Sequence, residues 1–176
     1  MEIKQFDVSY LSETKSVLKD IFYREDSDES FNEWEFAENV IKSDGFIPEL
    51  CFIALEKGKV IGYNALTIAS IEGTKGLALG PLGVKPEYQN QGVGTSLVNE
   101  SIQKAKKTRY PWIVLLGGDY YSRFGFEQGK KFHITVSDND FANDHIQILF
   151  LNDKKKKIFG KLTYCDAFYD EHGNLL

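Results

Sequence analysis

The chain is poor in the residues that build reactive sites on their own. Its 176 residues include two cysteines, three histidines, four prolines and one methionine. Cys51 and Cys165 lie far apart, suggest neither a disulfide framework nor a metal site, and read as small packed hydrophobes. His133, His145 and His172 are scattered, with no i,i+4 pair and no cysteine partner, so no metal is expected. No serine or cysteine sits in a nucleophile motif with a supporting histidine. Long apolar runs are missing as well. Ile113-Val114-Leu115-Leu116 is among the longest, against the roughly 18 residues of a membrane span. The opening Met1-Glu2-Ile3-Lys4-Gln5 is strand-like and lacks the apolar core of a signal segment. These absences point to a soluble, cytoplasmic protein that engages no membrane.

Basic charge is the next shortage. Acids outnumber bases 26 to 21, for a net charge of −5, which argues against nucleic acid as the main partner. The excess is local: residues 1–50 hold 13 acids and 5 bases, a net of −8, so the rest nets +3. Solvated helix faces would account for this; so would an acidic lip that attracts a cationic substrate. What the chain has in quantity is core material, 42% hydrophobic and 14% aromatic. At this length about 68–70% of the unfolded surface can be buried without staples. Disorder, collagen and coiled coil are excluded, and one domain over residues 1–176 is expected.

Periodicity gives a coarse order. Ile3–Phe6 reads as a strand, followed by a helix with Leu11, Val17, Leu18, Ile21 and Phe22 on one stripe. Glu25–Glu29 is too charged to bury and reads as an exposed loop. Ser30-x-x-Glu33 is a capping box, opening a helix that presents Phe31, Trp34, Ala37, Val40 and Ile41. Leu50–Leu55 and Val60–Ile71 flank the hairpin signal Glu56-Lys57-Gly58-Lys59. A second turn at Gly73–Gly76 leads into Leu77–Val84. Pro86 ends that strand, and a helix runs from Thr95 to about Thr108. Trp112–Leu116 then fits a buried strand parallel to Leu77–Val84 through a right-handed crossover. Phe132–Val136, Ile146–Leu151 and Leu162–Tyr164 read as later strands, and Lys154–Lys157 as a solvated turn. The sum is a mixed α/β (α+β) sheet, not the regular alternation of a doubly wound fold.

The most informative stretch is Gln89-Asn90-Gln91-Gly92-Val93-Gly94-Thr95. A glycine turn between a buried strand and a helix start leaves several main-chain N–H groups unpaired and pointing outward. The helix dipole adds positive potential and the missing Cβ atoms allow close approach. That is a cradle for a phosphate or diphosphate. It is not a P-loop, because no lysine follows Gly94 at the required offset. The dinucleotide fingerprint fails too: Leu97 stands where a third glycine is needed, and Leu115 and Leu116 stand where an acid would meet a ribose. On the Gly-x-Gly alone, a simple tight turn remains an equal reading.

Gln89-x-x-Gly92-x-Gly94 resembles the Gln/Arg-x-x-Gly-x-Gly/Ala loop of the GNAT superfamily, the acyl-CoA-dependent N-acetyltransferases. Leu79-Gly80-Pro81-Leu82-Gly83-Val84-x-Pro86-x-Tyr88-Gln89 is similar to the strand before that loop in one bacterial subgroup. Tyr120-Tyr121-Ser122-Arg123-Phe124-Gly125-Phe126 resembles the subgroup's second motif. The likeness covers roughly residues 45–130, with Leu162-Thr163-Tyr164 and Phe168 fitting the subgroup's tail.

The resemblance implies a mostly antiparallel sheet whose central parallel pair splays apart, flanked by helices. It implies acetyl-CoA as co-substrate, with the amides of Gln91, Gly92, Val93, Gly94 and Thr95 on the diphosphate, Gln89 in the same loop, and the pantetheine arm along Leu82, Gly83 and Val84. The N–H of Leu82 or Gly83 would meet the oxyanion, and Tyr121 would be the acid for the leaving thiolate. Tyr120 reads as the packed member of the pair, and Arg123 as a structural salt bridge or a phosphate contact. One departure matters: many relatives carry a glutamate base on the strand before the loop, and Leu77–Val84 holds no acid. Asp119 is the first candidate base, with Glu33 and Glu35 behind it. The link Gly117-Gly118-Asp119 is also shorter than usual and lacks the subgroup's proline. The expected activity is transfer of an acetyl group to a primary amine on a small molecule or peptide. The acceptor would lie between the first two helices, over Glu25–Glu29, and the later strands, with a cationic amine favoured by the acidic lip. The protein is expected to be a monomer or homodimer. A non-catalytic acyl-CoA-binding regulatory module is the alternative.

Overall fold

The computed structural model describes residues 1–22, 33–136, 140–152 and 158–176. The charged stretch Glu25–Glu29, the capping box begun by Ser30, Phe31, the Trp34 side chain and the turn Lys154–Lys157 lie outside the described residues. Strand β1 (Glu2–Gln5) is followed by helices α1 (Leu11–Phe22) and α2 (Glu33–Lys42). Three long antiparallel strands come next: β2 (Phe46–Glu56), β3 (Lys59–Ile71) and β4 (Thr74–Val84). Both hairpin turns place two residues at positive φ, Lys57-Gly58 at 51° and 77° and Glu72-Gly73 at 44° and 80°. That geometry matches the right-handed twist of the strands it joins. The second turn is therefore Glu72-Gly73, and Thr74–Gly76, read from sequence as the turn, belongs to β4.

Helix α3 (Val93–Ala105) crosses back to β5 (Trp112–Leu116), which pairs parallel to β4. The remaining strands are β6 (Glu127–Gln128), β7 (Ile134–Thr135), β8 (Ile146–Phe150) and β9 (Gly160–Tyr164), with a short helix α4 (Asp140–Asp144) before β8. The sheet runs β1-β2-β3-β4-β5-β8-β6, and β9 continues the edge of β3 at Ala69–Ile71. Among the described residues no helix is long and apolar enough to cross a membrane.

Two core layers sandwich the sheet's centre. On one side Val98, Ile102 and Ala105 of α3 pack on Leu66, Leu77, Leu79, Ile113 and Leu115. On the other, Ala78, Trp112 and Val114 meet Ile134, Ile148, Leu162 and Tyr164. Alternation along β4 and β5 sends successive residues to opposite layers. Gly76 makes room for Trp112: a Cβ there would fall inside the indole. Helices α1 and α2 cover the β2–β3 end, with Val17, Leu18 and Ala37 against Cys51, Ile53 and Tyr63. Burial pushes the Cys51 thiol up to about 12, so it packs as a neutral group.

Candidate active site

Strands β4 and β5 hold together only at Leu77–Ile113 and Ala78–Val114. Just beyond, the pairing of β4 with β3 slips by one residue between Leu66–Leu79 and Asn64–Leu82. Gly80 and Pro81 thus oppose Ala65 alone, a β-bulge, which bends its strand. Pro81 also has no N–H to offer a neighbour. The Lys85 N–H donates to the Ile61 carbonyl at 2.9 Å, and hydrogen-bonded pairs alternate along an antiparallel ladder. Gly83 therefore turns its main-chain groups to Tyr63, while Leu82 and Val84 turn theirs away from β3, into the gap. The Val84 carbonyl is already engaged there, accepting from Gln89 Nε2 at 3.0 Å.

The glycine loop is fastened to the same place. Gln91 Nε2 donates to the Glu87 carbonyl at 2.9 Å, Asn90 sits at φ 59° and Gly92 at φ 83°. Gly92 is the N-cap of α3 and no side chain caps the helix. The helix thus begins at Val93, two residues before the sequence reading placed it. The Ser96 N–H reaches the Gly92 carbonyl at 3.0 Å, so the amides of Val93, Gly94 and Thr95 precede the intrahelical ladder and face outward. The buried Val93 side chain, packed with Phe52, Ile61 and Leu97, pins this turn. A cavity of about 690 Å³ runs from Leu82–Val84 past Tyr88, Gln89 and Asn90 to Gly92–Thr95, and Tyr120, Tyr121 and Arg123 close it.

After β5, Asp119–Phe124 form a 3-10 turn ended by Gly125 at φ 93°. Tyr120 points to the helix: its hydroxyl lies 3.0 Å from Thr95 Oγ1. The Arg123 guanidinium covers its ring at 4.2 Å, with Nε donating to the Tyr120 carbonyl at 3.0 Å. Tyr121 points the other way and packs edge-on against Tyr120 and Phe126. Gly117 admits that ring, since a Cβ would stand 2.6 Å from Tyr121 Cε2. Gln147 Nε2 holds the connecting loop through the Gly117 and Gly118 carbonyls at 2.8 and 2.7 Å. Burial, with a smaller contribution from Tyr120, pushes the Tyr121 phenol above the ordinary tyrosine value.

A second cavity, about 330 Å³, lies across Tyr121 from the first. Leu82 and Tyr121 line both. The rest of its wall comes from distant segments: Phe36 of α2, Leu79–Pro81 of β4, Leu115 and Leu116 of β5, Tyr164, Phe168, Leu175 and Leu176. No local pattern marks Phe36 for this wall, and Tyr164 and Phe168 read in the sequence only as parts of a tail.

The structure gathers Leu82, Gly83, Val84, Gln89, Gly92, Val93, Gly94, Thr95 and Tyr121 around one cavity. Gln91 and Asp119 line neither cavity. Gln91 closes the loop, and Asp119 is exposed, its carbonyl accepting from Ser122 Oγ at 2.7 Å. Glu35 is exposed too. Among the described residues, no Asp or Glu lines either cavity. Tyr88, Asn90 and Tyr120 join the wall without having been expected there.

Residues 48–128 match the family described as acetyltransferase (GNAT) domain. Among curated proteins the chain is similar to the uncharacterized N-acetyltransferase YhbS of Escherichia coli K12, 33% identical over 90 residues, covering 49% of this chain and 54% of the relative. The uncharacterized N-acetyltransferase YjhQ of the same strain is 31% identical over 100 residues, covering 54% and 55%. The chain thus spans about half the length of the curated relatives it matches. Among solved structures, E. coli YhbS in complex with CoA superposes with a TM-score of 0.84 at 24% identity, covering 95% of this chain and 91% of that one. A Brucella melitensis GNAT family acetyltransferase in complex with acetyl-CoA gives 0.76 at 25% identity, covering 95% and 97%.

Proposed function

We propose that the chain is a GNAT-superfamily protein whose residues 1–176 act as one domain, an acyl-CoA-dependent N-acetyltransferase. It moves the acetyl group of acetyl-CoA to a primary amine by direct attack in a ternary complex. The observation that carries this reading is the pair of cavities sharing Leu82 and Tyr121 as a common wall.

On this reading the first cavity holds the cofactor. The free amides at Val93–Thr95, with the helix dipole behind them, suit a diphosphate; the neighbouring main chain of Gln91 and Gly92 completes the turn. Arg123 adds a cation on the same wall. The main-chain groups that Leu82 and Val84 turn into the gap are the partners an amide-bearing arm needs, as an added strand would find them. The thioester then arrives between Leu82 and Tyr121, with the amine in the second cavity. The amine lone pair forms a bond to the thioester carbonyl carbon and the carbonyl electrons move to oxygen. The Leu82 N–H, the one of the Leu82–Gly83 pair that faces the gap, stabilises that oxyanion. As the C–S bond breaks, Tyr121 gives its proton to sulfur and regains one from solvent, while the nitrogen releases a proton to solvent. Asp119, exposed two residues before Tyr121, is the candidate base and acts through water.

Thiol release from acetyl-CoA with a mixed library of primary amines, peptides included, tests the proposal; coenzyme A binding is measured alongside by calorimetry. Turnover with at least one amine is expected. Tight binding with no turnover across the library would favour a non-catalytic acyl-CoA-binding module. No binding at all would reject both.

A further inference from the structure

The acceptor cavity is apolar. Among the described residues lining it, none is Asp, Glu, Lys or Arg. Its back is an aromatic cluster assembled from three segments. Phe168 stacks on Tyr164 with centroids 4.5 Å apart and planes at 11°, and Phe36 meets Phe168 edge-on at 4.9 Å. Leu116, at the end of β5 and 38% exposed, stands at its rim. Asp166 and Asp170 lie in a neighbouring hollow beyond Leu116. Asp170 is already engaged there by the N–H groups of His172 and Asn174 at 2.9 and 2.8 Å.

We propose, building on the transferase reading above, that the acceptor is a primary amine on a neutral apolar body of about one ring in size. The volume, about 330 Å³, sits at the small end of ligand sites, roughly 300–1,000 Å³. A second charge seated within this cavity would meet no partner among its described lining residues, which costs more than the contacts return. An aromatic or branched body instead packs against the apolar lining that Phe36, Phe168 and Leu116 supply. The same apolarity bears on the missing base. Desolvation disfavours an ammonium, so the cavity itself lowers the pKa of the entering amine. The wall thereby does part of what a strand carboxylate does elsewhere.

The test uses protein saturated with coenzyme A and compares 2-phenylethylamine with 1,4-diaminobutane, by calorimetry for binding and by thiol release for turnover. The aromatic amine is expected to bind at least tenfold more tightly and to show a kcat/KM at least tenfold higher. Leu116→Glu, a rim change on an exposed strand end, should narrow or reverse that ratio while leaving coenzyme A affinity unchanged. Equal or better performance by the diamine, or binding of neither amine, overturns the inference. If the aromatic amine binds selectively but is never acetylated, the cavity assignment stands and the transferase reading fails.

Discussion

On the proposed reading, the cofactor side of the Tyr121 wall comes mostly from one stretch of chain, Leu82 to Thr95, closed by Tyr120 and Arg123. The acceptor side proposed above is drawn from separate segments, α2, β4, β5, β9 and the residues after it. The first would recognise something every member of a cofactor class shares, a diphosphate and two amides, for which amides and a helix terminus suffice. The second must distinguish one amine from another, and only side chains differ enough to do so. Substitutions on the two sides should therefore separate cleanly into effects on coenzyme A affinity and effects on acceptor choice.

The largest expected effect falls on the wall itself. Tyr121→Phe keeps the ring and removes the proton, so kcat should fall by about a hundredfold or more, with coenzyme A affinity nearly unchanged. Because burial raises the Tyr121 pKa above the ordinary tyrosine value near 10, the proposed acid stays protonated through neutral and mildly alkaline pH. The pH–rate profile should climb as the amine deprotonates and show no descending limb below about pH 10. A limb near neutrality would assign the acid to another group.

Gly94→Asp sharpens the comparison from the cofactor side. A Cβ there has ordinary room, 3.4 Å from the Tyr120 hydroxyl, but the carboxylate would stand where the diphosphate goes. Coenzyme A affinity should drop at least tenfold, about 1.4 kcal/mol. The melting temperature should hold or rise, since an acid in the first helical turn complements the dipole. Affinity and stability moving down together would mean the loop had simply unfolded.

Gly117→Ala probes the acceptor side through the ring. The new Cβ forces Tyr121 to shift, and overpacking of this kind costs about 1–3 kcal/mol. A loss of kcat near tenfold is expected, with a smaller change in coenzyme A affinity by calorimetry. Tyr120→Phe is the smallest, and it is the one that breaks the separation. The hydroxyl contact to Thr95 ties the turn carrying Tyr121 to the start of α3; its loss, about 1 kcal/mol, should lower affinity and kcat together, each by a few-fold.

Legibility in the sequence followed the same division. The loop Gln89–Thr95 could be read because its function needs glycine at positive φ and a helix start, and both are local. The parallel pair could be read because crossover handedness leaves few alternatives. The direction of the Leu82 and Val84 main-chain groups could not, because it depends on a one-residue slip at Gly80-Pro81 that shows only against β3. The acceptor wall was illegible for a stronger reason. Phe36, Tyr164 and Phe168 meet only after α2 and β9 have docked, and each alone reads as ordinary core. The stretch Phe132–Val136 read as a strand contains β7 but narrows to Ile134–Thr135, while the two-residue β6 and the five-residue α4 are too short to carry a period.

If the second cavity receives the amine as proposed, one room behind Tyr121 must hold both the acyl tail carried in by the thioester and the organic group that receives it. Every methylene added to the first leaves less for the second. Propionyl or butyryl donors should thus be tolerated with the slimmest amines and refused with the bulkiest, a seesaw in which neither chain length nor acceptor width has a fixed limit of its own.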